Sequence, residues 1–208
     1  MALRHEVLRF GQFTLKSGRQ SPYFFNAGRF DTGAAIDGLG RAYASALVNS
    51  GMGFDMLFGP AYKGIPLVAS TAAALAREHG RDVPYAYNRK EAKDHGEGGQ
   101  IVGRSLQGRV VIIDDVITAG TAIRESLQLI QNSGAAVTGV LLALDRQEKG
   151  LTSQTSAVDE LRASGLQVAC ILTLQDLITA AGQGIAGLSL ESLTALEDYR
   201  ATYGVMTN

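Results

Sequence analysis

Two adjacent carboxylates, Asp114 and Asp115, end the apolar run Val110-Val111-Ile112-Ile113, and a turn of small and hydroxylated residues follows, Val116-Ile117-Thr118-Ala119-Gly120-Thr121-Ala122. A short apolar run bounded by turn residues predicts a buried strand. Beyond the turn, Ile123, Leu127 and Ile130 keep helical spacing. A turn that opens a helix aims backbone N–H groups and a partial positive charge at one point, which suits a phosphate. The carboxylates would repel that phosphate, so they suit sugar hydroxyls further along the same ligand. Together these residues describe a cradle for a ribose 5-phosphate. The plainer reading is a helix cap beside two solvated acids, and paired acids directly ending an apolar strand fit it poorly.

Two further segments carry charge where chemistry could use it. Gly59-Pro60-Ala61-Tyr62-Lys63-Gly64-Ile65-Pro66 follows a short apolar run and opens a helical pattern. Glycines let backbone approach an anion closely, and Lys63 adds a point charge. No Lys-Ser or Lys-Thr follows the second glycine, so this is not a Walker A loop. Asn88-Arg89-Lys90-Glu91-Ala92-Lys93-Asp94-His95-Gly96-Glu97-Gly98-Gly99 gathers cations with glycines behind them. Its acids balance its cations, so a solvated hairpin is the plain alternative. The functional reading is a mobile loop, about 88–103, that closes its cations over a polyphosphate leaving group.

These segments need a frame. Leu39, Tyr43, Ala46 and Leu47 follow helical spacing, and so do Ile65, Val68, Ala69, Ala72, Leu75 and Ala76. Between helical stretches lie short apolar runs at 56–58, 85–87, 110–113, 137–144 and 166–172. Strands buried on both faces and alternating with helices predict an α/β domain with a mostly parallel central sheet flanked by helices. In such sheets ligands bind beyond the carboxyl ends of the strands, where all three charged segments and Asp145-Arg146 fall. The first 30 residues differ: Phe13-Thr14-Leu15 and Tyr23-Phe24-Phe25 predict two short strands of a small N-terminal hood. A single domain over 1–208 is expected.

The acid-pair stretch resembles the phosphoribosyl-pyrophosphate (PRPP) signature of the type I phosphoribosyltransferases. The charged loop, the Phe13-to-Gly18 and Ser21-to-Asn26 segments and Leu144-Asp145-Arg146 are similar to those of the orotate phosphoribosyltransferases within that family. The resemblance implies the type I fold and transfer of phosphoribosyl from PRPP to orotate, giving orotidine 5′-monophosphate and pyrophosphate in UMP biosynthesis. It implies Mg²⁺ held mainly by PRPP, with no metal ligand directly from the protein. It implies a homodimer that shares loop residues between subunits. By the same resemblance Lys93, His95, Asp114 and Asp115 are catalytic. Tyr62, Lys63, Arg89, Lys90, Lys93 and His95 meet pyrophosphate, and Asp114, Asp115, Val116, Ile117, Thr118, Ala119, Gly120, Thr121 and Ala122 hold the donor. Lys16, Phe24, Phe25, Thr118 and Arg146 bind orotate, the two phenylalanines as walls and the arginine through its planar fork of donors. Rivals are a purine-specific transferase of the same fold and a non-catalytic sensor of the donor. The hood motif and Arg146 favour orotate over a purine, and the intact basic loop favours an enzyme over a sensor.

Composition narrows the remaining classes. With 208 residues, 46% hydrophobic and 19% charged, the chain can bury a substantial core. A formal net charge of −1 argues against a dedicated nucleic-acid or membrane-surface binder, though not against a local basic site. No apolar stretch is long enough for a membrane span or a signal peptide. The lone Cys170 cannot form an internal disulfide and reads as a packed apolar residue in a reduced, cytoplasmic compartment. His5, His79 and His95 lie too far apart in sequence to suggest a zinc site. The run Gly182-Gln183-Gly184-Ile185-Ala186-Gly187 matches a dinucleotide fingerprint in letters only, because it follows a helical pattern and not a strand.

Overall fold

The computed structural model describes residues 1–93, 99–117, 120–185 and 188–205. Its centre is a six-stranded sheet in the order β5-β4-β3-β6-β7-β8. The strands are β3 (Met56–Gly59), β4 (Tyr85–Lys93), β5 (Gly99–Gly103), β6 (Arg109–Val116), β7 (Ala136–Asp145) and β8 (Gln167–Thr173). All neighbours are parallel except β4 and β5, which are antiparallel. A separate hairpin of β1 (Leu8–Thr14) and β2 (Gln20–Phe25) forms the hood. Both hood strands are longer than their apolar cores at 13–15 and 23–25 predict, because hairpin pairing extends past the apolar residues.

Alternation along β6 shows why the sheet is buried on both sides. Val111 and Ile113 pack with α1 (Gly33–Asn49) and α2 (Gly64–His79). Val110 and Ile112 pack with α3 (Thr121–Asn132) and α4 (Ala157–Ala163) on the other face. All four are 0% exposed. The apolar stripe of α2 is rotated from its sequence expectation. Leu67, Val68, Thr71, Ala72, Ala74 and Leu75 are buried, whereas Ala76 is exposed. Proximity to β3 decides that face, and the small alanines are compatible with either side.

Local signals set several boundaries. The Thr32 hydroxyl accepts the Ala35 N–H to start α1. Gly80, at φ 62°, ends α2 in the left-handed region. Capping boxes at Ser156/Asp159 and Thr173/Asp176 open α4 and α5 (Leu174–Gly182). The letters of the dinucleotide fingerprint begin at the end of α5, so no strand delivers them. Cys170 packs against the α3–α4 side, and burial pushes its thiol up to about 12.

Two features differ from the sequence expectation. The stretch 88–103 is not one loop. β4 continues to Lys93 and β5 begins at Gly99, with Asn88 opposite Ile101 and Lys93 opposite Gly99. Residues 94–98 lie outside the described part, as does His95 with them. Backbone pairing holds this segment as strand although it has few apolar side chains. The hood, moreover, does not simply sit beside the sheet. Leu8 and Tyr23 share a core with Leu144, with Leu174, Leu177 and Ile178 of α5, and with Leu196 and Tyr199 of α6 (Leu190–Tyr203).

The pairing of α1 with α2 depends on Gly40. A methyl group there would lie 2.6 Å from the Ser70 carbonyl oxygen, a backbone atom that cannot swing away. Gly40→Ala is therefore expected to push the helices apart and cost about 1–3 kcal/mol, despite its better helix propensity. A lower urea midpoint at unchanged slope checks this, and an unchanged midpoint refutes it.

Candidate active site

Sheet order turns scattered sequence segments into one edge. At the carboxyl ends, β4 brings Arg89 and Lys90, β3 brings the 59–64 loop, β6 brings the acids and β7 brings Arg146. Three strand spacings separate β4 from β7, about 14 Å. That span suits an extended ligand carrying a diphosphate, a sugar and a base.

The loop after β3 is closed by glycines. A Cβ on Gly59 would sit 2.2 Å from the Gly64 carbonyl oxygen, and one on Gly64 would sit 2.7 Å from the Gly59 carbonyl carbon. Only glycine at both positions permits that closeness. Asn88 of β4 fixes the same loop by accepting the Ala61 N–H at 2.8 Å. Tyr62 is 68% exposed, and the Lys90 ammonium lies 5.0 Å from its ring centre. Lys63 reaches across to Asp115, Nζ to Oδ2, at 2.6 Å.

The acids occupy a largely apolar setting. Asp114 and Asp115 are 9% and 8% exposed. Burial first, then the Asp115 charge, pushes the Asp114 carboxyl up to about 7, although the Asp115 N–H and Lys63 favour its charged form. That N–H donates to Asp114 Oδ1 at 2.9 Å. From α1, the Tyr43 hydroxyl donates to the Asp114 carbonyl oxygen at 2.7 Å and tethers the strand end. Beyond the acids, Val116, Ile117, Gly120, Thr121 and Ala122 line an opening of about 120 Å³ together with Asp114. Gly120, at φ 68°, leads into α3 in the left-handed region. Thr118 and Ala119 lie outside the described residues.

The base-side residues depart from their simple expectation. Lys16 is exposed in the hood's turn. Phe24 and Phe25, being adjacent in a strand, face opposite sides. Phe24 stacks on Phe13 at 5.5 Å with the Arg9 guanidinium over both rings, whereas Phe25 packs toward the core. The two rings therefore cannot form one wall. Arg146 does not present a free fork either: Nε donates to Glu148 Oε1, and Nη2 donates to Ser21 Oγ at 3.0 Å and to the Tyr199 hydroxyl at 3.1 Å. Asn88, Ser21, Glu148 and Tyr199 were not among the predicted site residues. Ser21 lies in the hood motif and Asn88 in the basic segment after β4 begins, while Tyr199 carries no sequence signal. For Lys93 the structure describes the strand pairing alone.

Comparison with known proteins agrees with this fold. The phosphoribosyl transferase domain matches residues 29–169. An orotate phosphoribosyltransferase of Cronobacter sakazakii is 60% identical over 205 residues, covering 98% of this chain and 95% of its own length. The crystal structure of orotate phosphoribosyltransferase from Francisella tularensis superposes with a TM-score of 0.88 at 41% identity, covering 98% of this chain and 96% of that one. Adenine phosphoribosyltransferase from Thermoanaerobacter pseudethanolicus matches at a TM-score of 0.51 and 16% identity, covering 81% of this chain and 96% of that one; that likeness concerns the fold alone. Likeness to the orotate enzymes extends through hood and C-terminal helices as well as the common core, and the chain belongs to the orotate phosphoribosyltransferase family of type I phosphoribosyltransferases.

Proposed function

We propose that this edge transfers the phosphoribosyl group of PRPP to N1 of orotate, yielding orotidine 5′-monophosphate and pyrophosphate, a step of pyrimidine biosynthesis. The observation that carries this reading is the strand order, which lines up cations, acids and Arg146 in the sequence a PRPP–orotate pair requires. The turn into α3 takes the 5-phosphate, through the backbone N–H groups that open a helix. Asp114 and Asp115 accept hydrogen bonds from the ribose hydroxyls and orient the ring. The 59–64 loop, Arg89 and Lys90 take the diphosphate, together with Lys93 and His95. Arg146, Thr118, Lys16 and the hood backbone take orotate, with a wall from one of the two hood phenylalanines.

The bond from ribose C1 to the diphosphate oxygen breaks as the bond from C1 to N1 forms, and orotate gives up its N1 proton. Most of the difficulty lies in the departing anion. An opposite charge at about 4 Å is worth roughly 4 kcal/mol at an effective dielectric near 20. Several cations arranged before the event therefore supply most of the acceleration.

The acid pair offers oxygen donors of the kind magnesium prefers, yet among the described residues no three His, Cys, Asp or Glu side chains converge on one point. In this reading a Mg²⁺ ion would take most of its oxygens from the diphosphate and water, with the acid pair as the nearby protein donors. When bound, the ion neutralises charge on the diphosphate oxygens. We read the protein as a homodimer in which hairpin residues serve the neighbouring site, and as cytoplasmic. The single, packed Cys170 suits a reducing compartment, and among the described residues no helix is long and apolar enough to cross a membrane.

Purified protein mixed with PRPP, Mg²⁺ and orotate should deplete the orotate ultraviolet band. Donor binding by calorimetry without that depletion would instead support a sensor. Lys93→Ala should lower kcat by about 100- to 1,000-fold, and an unchanged kcat would remove Lys93 from the leaving-group role. Asp114 supplies a pH test. Its raised folded-state pKa means that the folded chain binds more protons than the unfolded chain between about pH 4 and 7. Stability from this group is therefore lost as pH rises through that window. Asp114→Asn should remove the loss, gaining about 2–3 kcal/mol relative to the parent between pH 5 and pH 8 in urea unfolding. Parallel stability curves would contradict the buried, proton-binding carboxyl.

A further inference from the structure

Arg146 is the one buried cation among the described residues, 8% exposed. A guanidinium taken out of water needs partners for its charge and its N–H groups. The structure supplies them from three places, one adjacent in sequence and two distant. Glu148, two residues on, accepts from Nε. The Tyr199 hydroxyl of α6 accepts from Nη2 at 3.1 Å and donates to Glu148 Oε1 at 2.7 Å, closing a ring of hydrogen bonds. Ser21 of the hood accepts from Nη2 at 3.0 Å and donates to the Tyr23 carbonyl oxygen at 2.7 Å. The Tyr23 ring lies under the guanidinium at 4.3 Å.

Glu148 is itself held. Its Oε2 accepts from Arg19 Nη1 at 3.1 Å. Arg19 Nη2 also donates to the carbonyl oxygens of Lys149 and Gly150, at 2.9 and 3.2 Å, and the Arg19 guanidinium lies 5.0 Å from the Tyr203 ring centre. After this accounting, Arg146 Nη1 is the guanidinium nitrogen without a hydrogen bond among the described residues. It is also absent from their enclosed, unpartnered side-chain atoms, of which the Tyr23 hydroxyl is the single example.

We infer that Glu148 and Tyr199 are positioning residues for orotate. They consume the Nε and Nη2 donors of Arg146 and turn its Nη1 corner to the base. This inference rests on the proposed contact between Arg146 and orotate. It assigns the C-terminal helix a part in base binding: α6 reaches the substrate through one hydroxyl and one arginine. A planar cation held on one edge and one face by rigid partners loses little freedom when an acceptor arrives at the open corner.

The test compares Michaelis constants for both substrates in Tyr199→Phe, Glu148→Gln and Arg146→Lys. Tyr199→Phe keeps the ring that meets Tyr23 edge-on at 6.1 Å and removes only the hydroxyl. The expected result is a rise of about 5- to 30-fold in the orotate KM for Tyr199→Phe and Glu148→Gln, with the PRPP KM within twofold of the parent. Arg146→Lys should raise the orotate KM at least as much. If Arg146→Lys raises it while the other two variants leave it unchanged, the positioning role is overturned and the Arg146 contact stands. If Arg146→Lys leaves it unchanged, the contact and the inference built on it both fall. Equal rises in both KM values, or a lowered Tm with unchanged KM values, would mean a structural role and overturn the inference. Should Tyr199→Phe not fold, Glu148→Gln carries the same comparison.

Discussion

Two carboxylates held side by side at the end of a strand whose flanks are apolar create the constraint that the remaining site answers. Burial, and then the neighbouring Asp115 charge, disfavour the charged form of Asp114. The structure offsets this with Lys63 at 2.6 Å from Asp115 and with the Asp115 N–H on Asp114, while Tyr43 holds the strand end from α1 through the Asp114 carbonyl oxygen. One acid sits near neutral pH and the other is paired with a cation. The Lys63–Asp115 pair ties the 59–64 loop to β6, so the loop and the strand end are mechanically one unit. Gly59 and Gly64 make the connection short, because neither leaves room for a side chain between strand and helix.

Charge is distributed along the sheet edge by chemistry. Cations lie toward β4 and β3, acids at the end of β6 and a single guanidinium beyond β7, the order that the proposed transfer needs. Strands with parallel neighbours put these groups at one edge without any long-range search, since every strand but β5 in the central sheet ends on the same side. The β4–β5 hairpin pairs at Asn88 and again at Lys93, with an irregular register between them where Arg89 and Lys90 lie.

The hood and the C-terminal helices form a second unit around Arg146. Their apolar residues share one core with the end of β7, and their polar residues share one hydrogen-bond network. Removing an arginine from water is costly unless its partners are already in place. Serine, glutamate, tyrosine and an aromatic face meet that requirement from three parts of the chain. The consequence is an arginine with few degrees of freedom and a defined open corner.

Much of the site was legible from short-range pattern. The apolar run at 110–113 with its acids, the glycines bracketing 59–64 and the alternation of helical and apolar segments each follow from local physics: burial periodicity, backbone freedom and strand length. Those signals sufficed for an α/β class with ligands at the carboxyl ends. Three matters escaped them. Phe24 and Phe25 face apart because a strand alternates its side chains, and the hood strand became certain only with its pairing. The 88–93 stretch has too few apolar residues to announce a strand, yet antiparallel backbone bonds to β5 make it one. Arg146 reads in sequence as a free fork, but the identity of its partners depends on where Ser21 and Tyr199 come to rest, 125 and 53 residues away. Sequence alone determined which residues could do chemistry and which local elements carry them, since those depend on neighbours within a turn or a strand. Tertiary structure alone decided which donors remain available, since that depends on contacts between segments whose separation along the chain leaves no periodic trace.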